Sequence, residues 1–355
     1  MKVNLPIFVP SASDLDKYQD ENRKKKKKTK HLPFGKRKPR NVHMYGISAA
    51  VMITPTVIHL FYCVIPYFFL EDEFVIASLP VPENTFFGFR VFYFLLAFHA
   101  WCMALTYYLY YSLVTHSPGY TPAGWTPEAR AVGIGGAYYD ALRVTEGNKL
   151  KFCETCQLYM PPRAHHCSTC NRCVLRMDHH CFFSDQCVGF HNHKTFVLFC
   201  TYAVLADGIG AVWYVLWAKN IGVLVDEGSV DAAVADSYIL GVYAGIIAAG
   251  LPSAIVFFTI LLQQIYFMGL NITRLEMADL YAWRAAFWER RKLGKKEKSV
   301  WPYHLGCCRN YASLLGRHFW LWPFPCYAFD PHSNAGTDFD YHTLYVTHFE
   351  DLEAR

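Results

Sequence analysis

The sequence predicts an all-α integral membrane protein, a four-helix transmembrane bundle with a cytosolic cysteine-rich module between spans two and three. Three observations predict it. Aromatic residues make up 17% of the 355 and charged residues only 18%, which is greasy for a soluble chain. Four apolar segments, roughly 45–70, 91–115, 196–218 and 238–265, are long enough to cross a bilayer and contain no Lys, Arg or Glu. Cysteines and histidines crowd into the interval 153–187, between the second and third of those segments.

The chain accordingly divides into a basic tail (1–44), a first span (45–70), a second (91–115), a cysteine-rich domain (150–195), a third span (196–218), a fourth (238–265) and a C-terminal region (266–355). Residues 23–28 of the tail are an unbroken run of Arg and Lys, and Lys36, Arg37, Lys38 and Arg40 precede the first span. No cleavable signal peptide is expected, because the first apolar stretch begins only near residue 45. The basic run also fits a nuclear-localisation or nucleic-acid patch. Four spans argue against that, and attraction to anionic inner-leaflet lipid explains the run more simply.

Charge sets the orientation. The loop after the first span carries Glu71, Asp72, Glu73 and Glu83, and the loop after the third has Lys219 against Asp226, Glu227, Asp231 and Asp236. Arg163, Arg172 and Arg176 lie in the cysteine-rich domain, and Arg290, Arg291, Lys292, Lys295, Lys296 and Lys298 follow the fourth span. Positive segments stay inside, so both termini and the cysteine-rich domain are expected in the cytosol, where thiols remain reduced.

That domain reads Cys153-x2-Cys156, then His166-Cys167-x2-Cys170-x2-Cys173, then His180-Cys181 and Cys187. Thiols two residues apart reach adjacent corners of one tetrahedron. With Cys181 set aside, six cysteines and two histidines remain, enough for two closed Cys3His sites of the structural zinc type. A disulfide framework is the alternative, and it needs an oxidising compartment. Both His165-His166 and His179-His180 offer a choice of ligand. If 178–181 runs extended, His179 and Cys181 share one side while His180 faces a metal on the other.

Asp178-His179-His180-Cys181 then puts an imidazole and a carboxylate beside a thiol outside the ligand count. A neighbouring imidazole lowers a thiol pKa, and a carboxylate orients and charges the imidazole. Exchange of an acyl group between thiols is nearly isoenergetic, so this constellation suits thioester chemistry on a greasy substrate.

These residues resemble the DHHC protein acyltransferases, the palmitoyltransferases, across the cysteine-rich domain and on through Cys187-Val188-Gly189, Asn192-His193 and Phe196. The resemblance implies a first zinc on Cys153, Cys156, His166 and Cys173, and a second on Cys167, Cys170, His180 and Cys187. It implies Cys181 as the acylated nucleophile, with His179 and Asp178 beside it. Looser matches follow in order: Ser117-Pro118-Gly119, Thr273-Arg274-Leu275-Glu276, and Tyr303-x2-Gly306-x3-Asn310 with Gly316. The chain departs from the family at Phe182-Phe183 in place of Pro-Trp, at Asp185-Gln186 in place of paired asparagines, and at Arg274 in place of a second threonine.

The implied activity is a two-step transfer of a long-chain acyl group, palmitoyl above all, from acyl-CoA through Cys181 to cysteines of membrane-associated proteins. The acyl chain would lie among the four spans, and the anionic CoA headgroup would meet Arg163, Arg172, Arg176 or Arg274. The expected location is an endomembrane (Golgi or ER) or the plasma membrane. A catalytically weak or inactive zinc-stabilised adaptor is the alternative, and a transporter built on Asp207, the acidic residue within a span, is a third reading. An interhelical hydrogen bond is the plainer role for Asp207. Met277, Leu280, Trp283 and Phe287 suggest an interfacial or packing helix, and the run 320–324 either dips into headgroups or packs. Cys307 and Cys308 are a thiol pair outside the zinc count.

Overall fold

The computed structural model describes residues 86–123, 125, 152–226, 251–278, 280–281, 301 and 303–326, with single positions at 228, 236, 240, 336, 337 and 339. The basic tail, the first predicted span, Trp283 and Phe287 lie outside the described residues. Three long helices carry the described part of the bundle: α1 (Phe86–Thr115), α2 (His193–Asp226) and α3 (Leu251–Leu270). Helix α1 packs on α2, and α2 on α3. By length and composition, His193–Val212 and Leu251–Leu270 are apolar enough to cross a membrane.

Helix α1 ends where the second predicted span ends, whereas α3 runs five residues past the expected 265 to Leu270. Its stop is a Schellman cap. Asn271 adopts a left-handed φ of 50°, its N–H donates to Met268 O at 3.0 Å, and Ile272 N–H donates to Phe267 O at 3.0 Å. The apolar pair that goes with this cap is present, since Ile272 and Phe267 share one buried cluster.

Helical architecture describes the bundle, but the cysteine-rich module is built from three antiparallel hairpins. Strand β1 (Phe152–Cys153) pairs with β2 (Leu158–Tyr159), β3 (His165–Cys167) with β4 (Arg172–Val174), and β5 (His179–Cys181) with β6 (Gln186–Val188). Strands of two or three residues bury too little to stand alone, and the Cys/His residues they carry are of the types that staple such segments through metal. The hairpins repeat one design. Cys153, Cys167 and Cys181 recur at equal intervals, opposite Leu158, Arg172 and Gln186, and each turn closes through a left-handed residue: Gln157 (φ 52°), Asn171 (52°) or Asp185 (45°).

The stretch after α1 ties the module to the bundle by lying alongside β4. Tyr120 bridges Val174, Thr121 N–H donates to Cys173 O at 3.0 Å, and Leu175 N–H donates to Gly119 O at 3.0 Å. Gly189 packs beneath this join, where a Cβ would meet Val174 Cγ1 at 2.6 Å and Pro118 O at 2.8 Å, so no larger residue fits. Gln186 donates its amide to the carbonyls of Leu113 (3.1 Å) and His116, satisfying acceptors left open at the C-terminal end of α1.

A short helix, α4 (Cys307–Leu315), closes the module-side end of the described bundle by packing Leu314 and Leu315 on Val197 of α2 and Met268 of α3. Asn310 fixes it there, donating to Gly269 O at 2.7 Å and accepting from Leu305 N–H at 2.8 Å.

Candidate active site and metal centres

Two sets of four side chains converge within the module. Ligand atoms of Cys153, Cys156, His166 and Cys173 lie within 4.8 Å of one another, as do those of Cys167, Cys170, His180 and Cys187. In the first set His166 Nδ1 stands 3.4, 3.2 and 3.9 Å from the sulfurs of Cys153, Cys156 and Cys173. In the second, His180 Nδ1 stands 3.6, 3.4 and 3.7 Å from those of Cys167, Cys170 and Cys187. A tetrahedron with Zn–S near 2.3 Å and Zn–N near 2.0 Å puts N and S about 3.5 Å apart, so both sets fit zinc. Backbone N–H groups of Cys156 and Cys170 donate to Cys153 and Cys167 Sγ, each at 3.3 Å, as is usual around metal-bound sulfur. No described cysteine is in a disulfide.

Of the two histidine pairs, His166 and His180 face the sulfurs. Strand alternation then turns His179 to the other side, together with Cys181. Asp185, one of the departures from the family pattern, brings Oδ1 to 3.5 Å from His180 Nε2 and so backs a ligand from behind.

Cys181 occupies the position of the first knuckle cysteine in the third hairpin, but where a second cysteine would stand the chain has Ser184. Its sulfur is therefore outside both ligand sets. Burial alone would push the Cys181 thiol up, yet hydrogen bonding to His179, the His179 charge and hydrogen bonding to Ser184 outweigh it and hold the thiol below its usual range. His179 Nδ1 meets Asp178 Oδ2 at 2.8 Å. Burial disfavours charge on His179, but the hydrogen bonds and negative charge of Asp178 and Cys181 prevail and raise its pKa to about 9. The ring packs edge-on to Phe196, with centroids 5.1 Å apart.

Asp178 is wholly buried. Burial would raise its pKa, but hydrogen bonding to His179, neighbouring histidine charge and the Arg274 N–H hold the carboxyl well below the ordinary range. Oδ1 accepts from Arg274 N–H at 2.7 Å, and Oδ2 also accepts from Gln264 Nε2 at 3.1 Å. Because the backbone of residue 274 makes this contact, a threonine there is not required for it. The turn at 273 is held by a reciprocal capping box: Thr273 N–H donates to Glu276 Oε2 at 2.8 Å, and Glu276 N–H donates to Thr273 Oγ1 at 3.3 Å.

The other face of Cys181 is apolar. Its side chain belongs to a buried cluster with Cys102, Leu109 and Leu113 of α1, Phe199 and Ala203 of α2, and Phe257 of α3. Phe183 packs tilted against Phe257 (centroids 6.2 Å apart) while its carbonyl accepts from Tyr110 at 3.1 Å, and Phe182 remains exposed.

The arginines expected to meet CoA separate into two groups. Arg163 and Arg176 are buried, and Arg163 spends its guanidinium on Glu276, with Nε–Oε1 and Nη2–Oε2 both 2.7 Å, and on Asn271. Their charge is used internally because each serves as a strut between the module and the end of α3. Arg274 is exposed, and Arg172 lies over the Tyr120 ring with Nε unpaired. Asp207 accepts from Ser253 at 3.0 Å, the interhelical bond expected of it. Cys307 and Cys308 are exposed at the start of α4.

Nothing in the linear pattern marks Ser184, Asn271 or Arg163 as part of the site's support. Gln264 leaves a faint signal, since an amide within an apolar span is costly unless it is partnered.

A family model described as DHHC palmitoyltransferase matches residues 146–280. The chain is 30% identical over 280 residues to probable protein S-acyltransferase 16 of Arabidopsis thaliana, covering 79% of this chain and 89% of that one. It is 28% identical over 245 residues to probable protein S-acyltransferase 13 of the same plant, covering 66% and 72%. Palmitoyltransferase pfa4 of Emericella nidulans is 30% identical over 250 residues, with 65% of this chain and 54% of that one covered.

Proposed function

Because this chain belongs to the DHHC palmitoyltransferase family, we propose that it is a protein S-acyltransferase that carries a long-chain acyl group on Cys181. One observation carries the reading. Cys181 is the module cysteine left out of both metal sets, and its sulfur sits between a histidine–carboxylate pair and an apolar cluster built from three helices.

In the first step the Cys181 thiolate attacks the thioester carbonyl of acyl-CoA. The new C–S bond forms on Cys181, the bond to CoA sulfur breaks, and the departing thiolate takes its proton from the His179 imidazolium. In the second step His179 accepts the proton of an incoming protein thiol, whose sulfur attacks the acyl carbon and releases Cys181 as thiolate. Asp178 keeps Nδ1 of His179 protonated, which leaves Nε2 to face the sulfur. Zinc held by the two Cys3His sets would keep the hairpins in shape and supply no step of these transfers. The acyl chain enters the helix bundle, where each methylene kept from water contributes about 0.8 kcal/mol.

The same reading includes four spans at 45–70, 91–115, 196–218 and 238–265, with both termini and the module cytosolic, supported by the acidic loops and basic ends of the sequence. Exposed Arg274 is the cation best placed for the CoA phosphates.

Purified protein incubated with clickable acyl-CoA tests the proposal. The expected result is hydroxylamine-sensitive labelling of the wild type, none in Cys181→Ser, and a rate lowered on the order of 100-fold in His179→Ala. Labelling that persists in Cys181→Ser, or a zinc-loaded wild type that never labels, sinks it. The second outcome leaves the adaptor.

A further inference from the structure

Beneath Asp178 runs a line of buried polar side chains whose hydrogen-bond directions are fixed from one end. Arg176 Nη1 lies 2.9 Å from His193 Nδ1. A guanidinium only donates, so Nδ1 must be the bare nitrogen and Nε2 must carry the proton. His193 Nε2 therefore donates to Gln264 Oε1, at 2.8 Å. That contact decides which way the Gln264 amide faces, and its nitrogen is left to donate to Asp178 Oδ2 at 3.1 Å. The same oxygen accepts from His179.

Every member of the line is buried, with Gln264 2% and His193 1% exposed. Water cannot substitute for a missing partner there, and a buried acceptor left short of a donor costs more than the bond itself gains. The other carboxylate oxygen is held by Arg274 N–H, on the turn that follows α3. Helix α3 and its cap thus grip both oxygens of Asp178, one through a side chain and one through the backbone. The β5–β6 hairpin supplies the carboxylate; α3 decides how it points.

We propose that Gln264 is a positioning residue for acyl transfer, relaying the fixed orientation of Arg176 and His193 to Asp178 and so aligning His179 on Cys181. This deepens the Cys181 reading and rests on it. Gln264 touches neither thioester nor sulfur, so its effect falls on the rate of acyl transfer and leaves acyl-CoA binding alone.

The test compares wild type, Gln264→Leu, Gln264→Glu, Asp178→Asn and the double variant Gln264→Leu/Asp178→Asn in single-turnover formation of the acyl-enzyme, with zinc content measured on each. Gln264→Leu is expected to lower the limiting rate constant on the order of tenfold, with the half-saturating acyl-CoA concentration unchanged and two zinc ions retained. Gln264→Glu keeps the acceptor for His193 but sets a carboxylate against Asp178, and is expected to lose more. In the Asp178→Asn background Gln264→Leu is expected to add little, since residues that act through one another are not additive.

A wild type that fails to acylate overturns the Cys181 reading itself. A wild type that acylates while Gln264→Leu matches it overturns only the relay, as does a loss of equal size in the Asp178→Asn background. Should Gln264→Leu lose zinc, Gln264→Glu decides, and wild-type rates with both zinc ions in that variant overturn the relay.

Discussion

Arg163 and Glu276 form an ion pair with side chains only 1% and 5% exposed, and their removal from water is offset by two parallel contacts of 2.7 Å and by further hydrogen bonds to Asn271 and from Thr273 N–H. Breaking one partner of such a pair costs about 3–5 kcal/mol because the other charge stays buried. Glu276→Gln is therefore expected to lower the unfolding midpoint in detergent clearly, and an unchanged midpoint would show the pair to be idle. Its pH dependence has a definite sign. Burial raises the Glu276 pKa, but Arg163 outweighs that and depresses it overall, so the stabilisation is complete above the unfolded value of about 4.3 and is lost as pH falls through the lower folded value. Wild type should lose more stability on acidification than Glu276→Gln does, the difference falling between the unfolded and the lower folded pKa of Glu276. Asp185 acts at the same scale: Asp185→Ala should weaken zinc binding at the second site roughly 10- to 100-fold, measured by chelator competition.

At the scale of elements, the module combines two Cys/His sets able to hold zinc with small apolar clusters. Three hairpins with strands of two or three residues cannot persist without their clips, so Cys170→Ala is expected to reduce bound zinc and to abolish acylation although Cys181 is untouched. Retained activity with one zinc would show the second site to be dispensable. The clustering of thiols was legible because C-x2-C spacing fixes a short turn, the division into two sets came from the family resemblance, and strand alternation puts His179 and His180 on opposite sides as expected. Three of the helices were legible as apolar runs, though the end of α3 was not, because its stop is a left-handed asparagine followed by Ile272, an ordinary apolar residue. Illegible too were contacts between distant segments: Gln186 under α1, Arg163 on Glu276, Gln264 beneath Asp178. Each is a single polar residue whose partner is chosen by the packing of two elements, and no local period encodes that choice. The arginines offered to CoA illustrate the cost, since two of the four are structural struts.

For the whole molecule, the junction between bundle and module is where the chemistry concentrates. The apolar cluster around Cys181 draws on α1, α2 and α3, while the polar line through Asp178 draws on the module, on His193 at the start of α2, and on α3. A sulfur at that boundary lies between a histidine–carboxylate pair on one side and buried apolar side chains on the other. The account therefore depends on Cys181 being free of metal and able to hold an acyl chain. Native mass spectrometry of the detergent-solubilised protein after exposure to a chain-length series of acyl-CoAs that includes palmitoyl-CoA, followed by peptide mapping, tests this most directly. The predicted result is two zinc ions and one acyl group, carried on residue 181. Two zinc ions with an unmodified residue 181 across all chain lengths, or zinc bound to Cys181 itself, would contradict it.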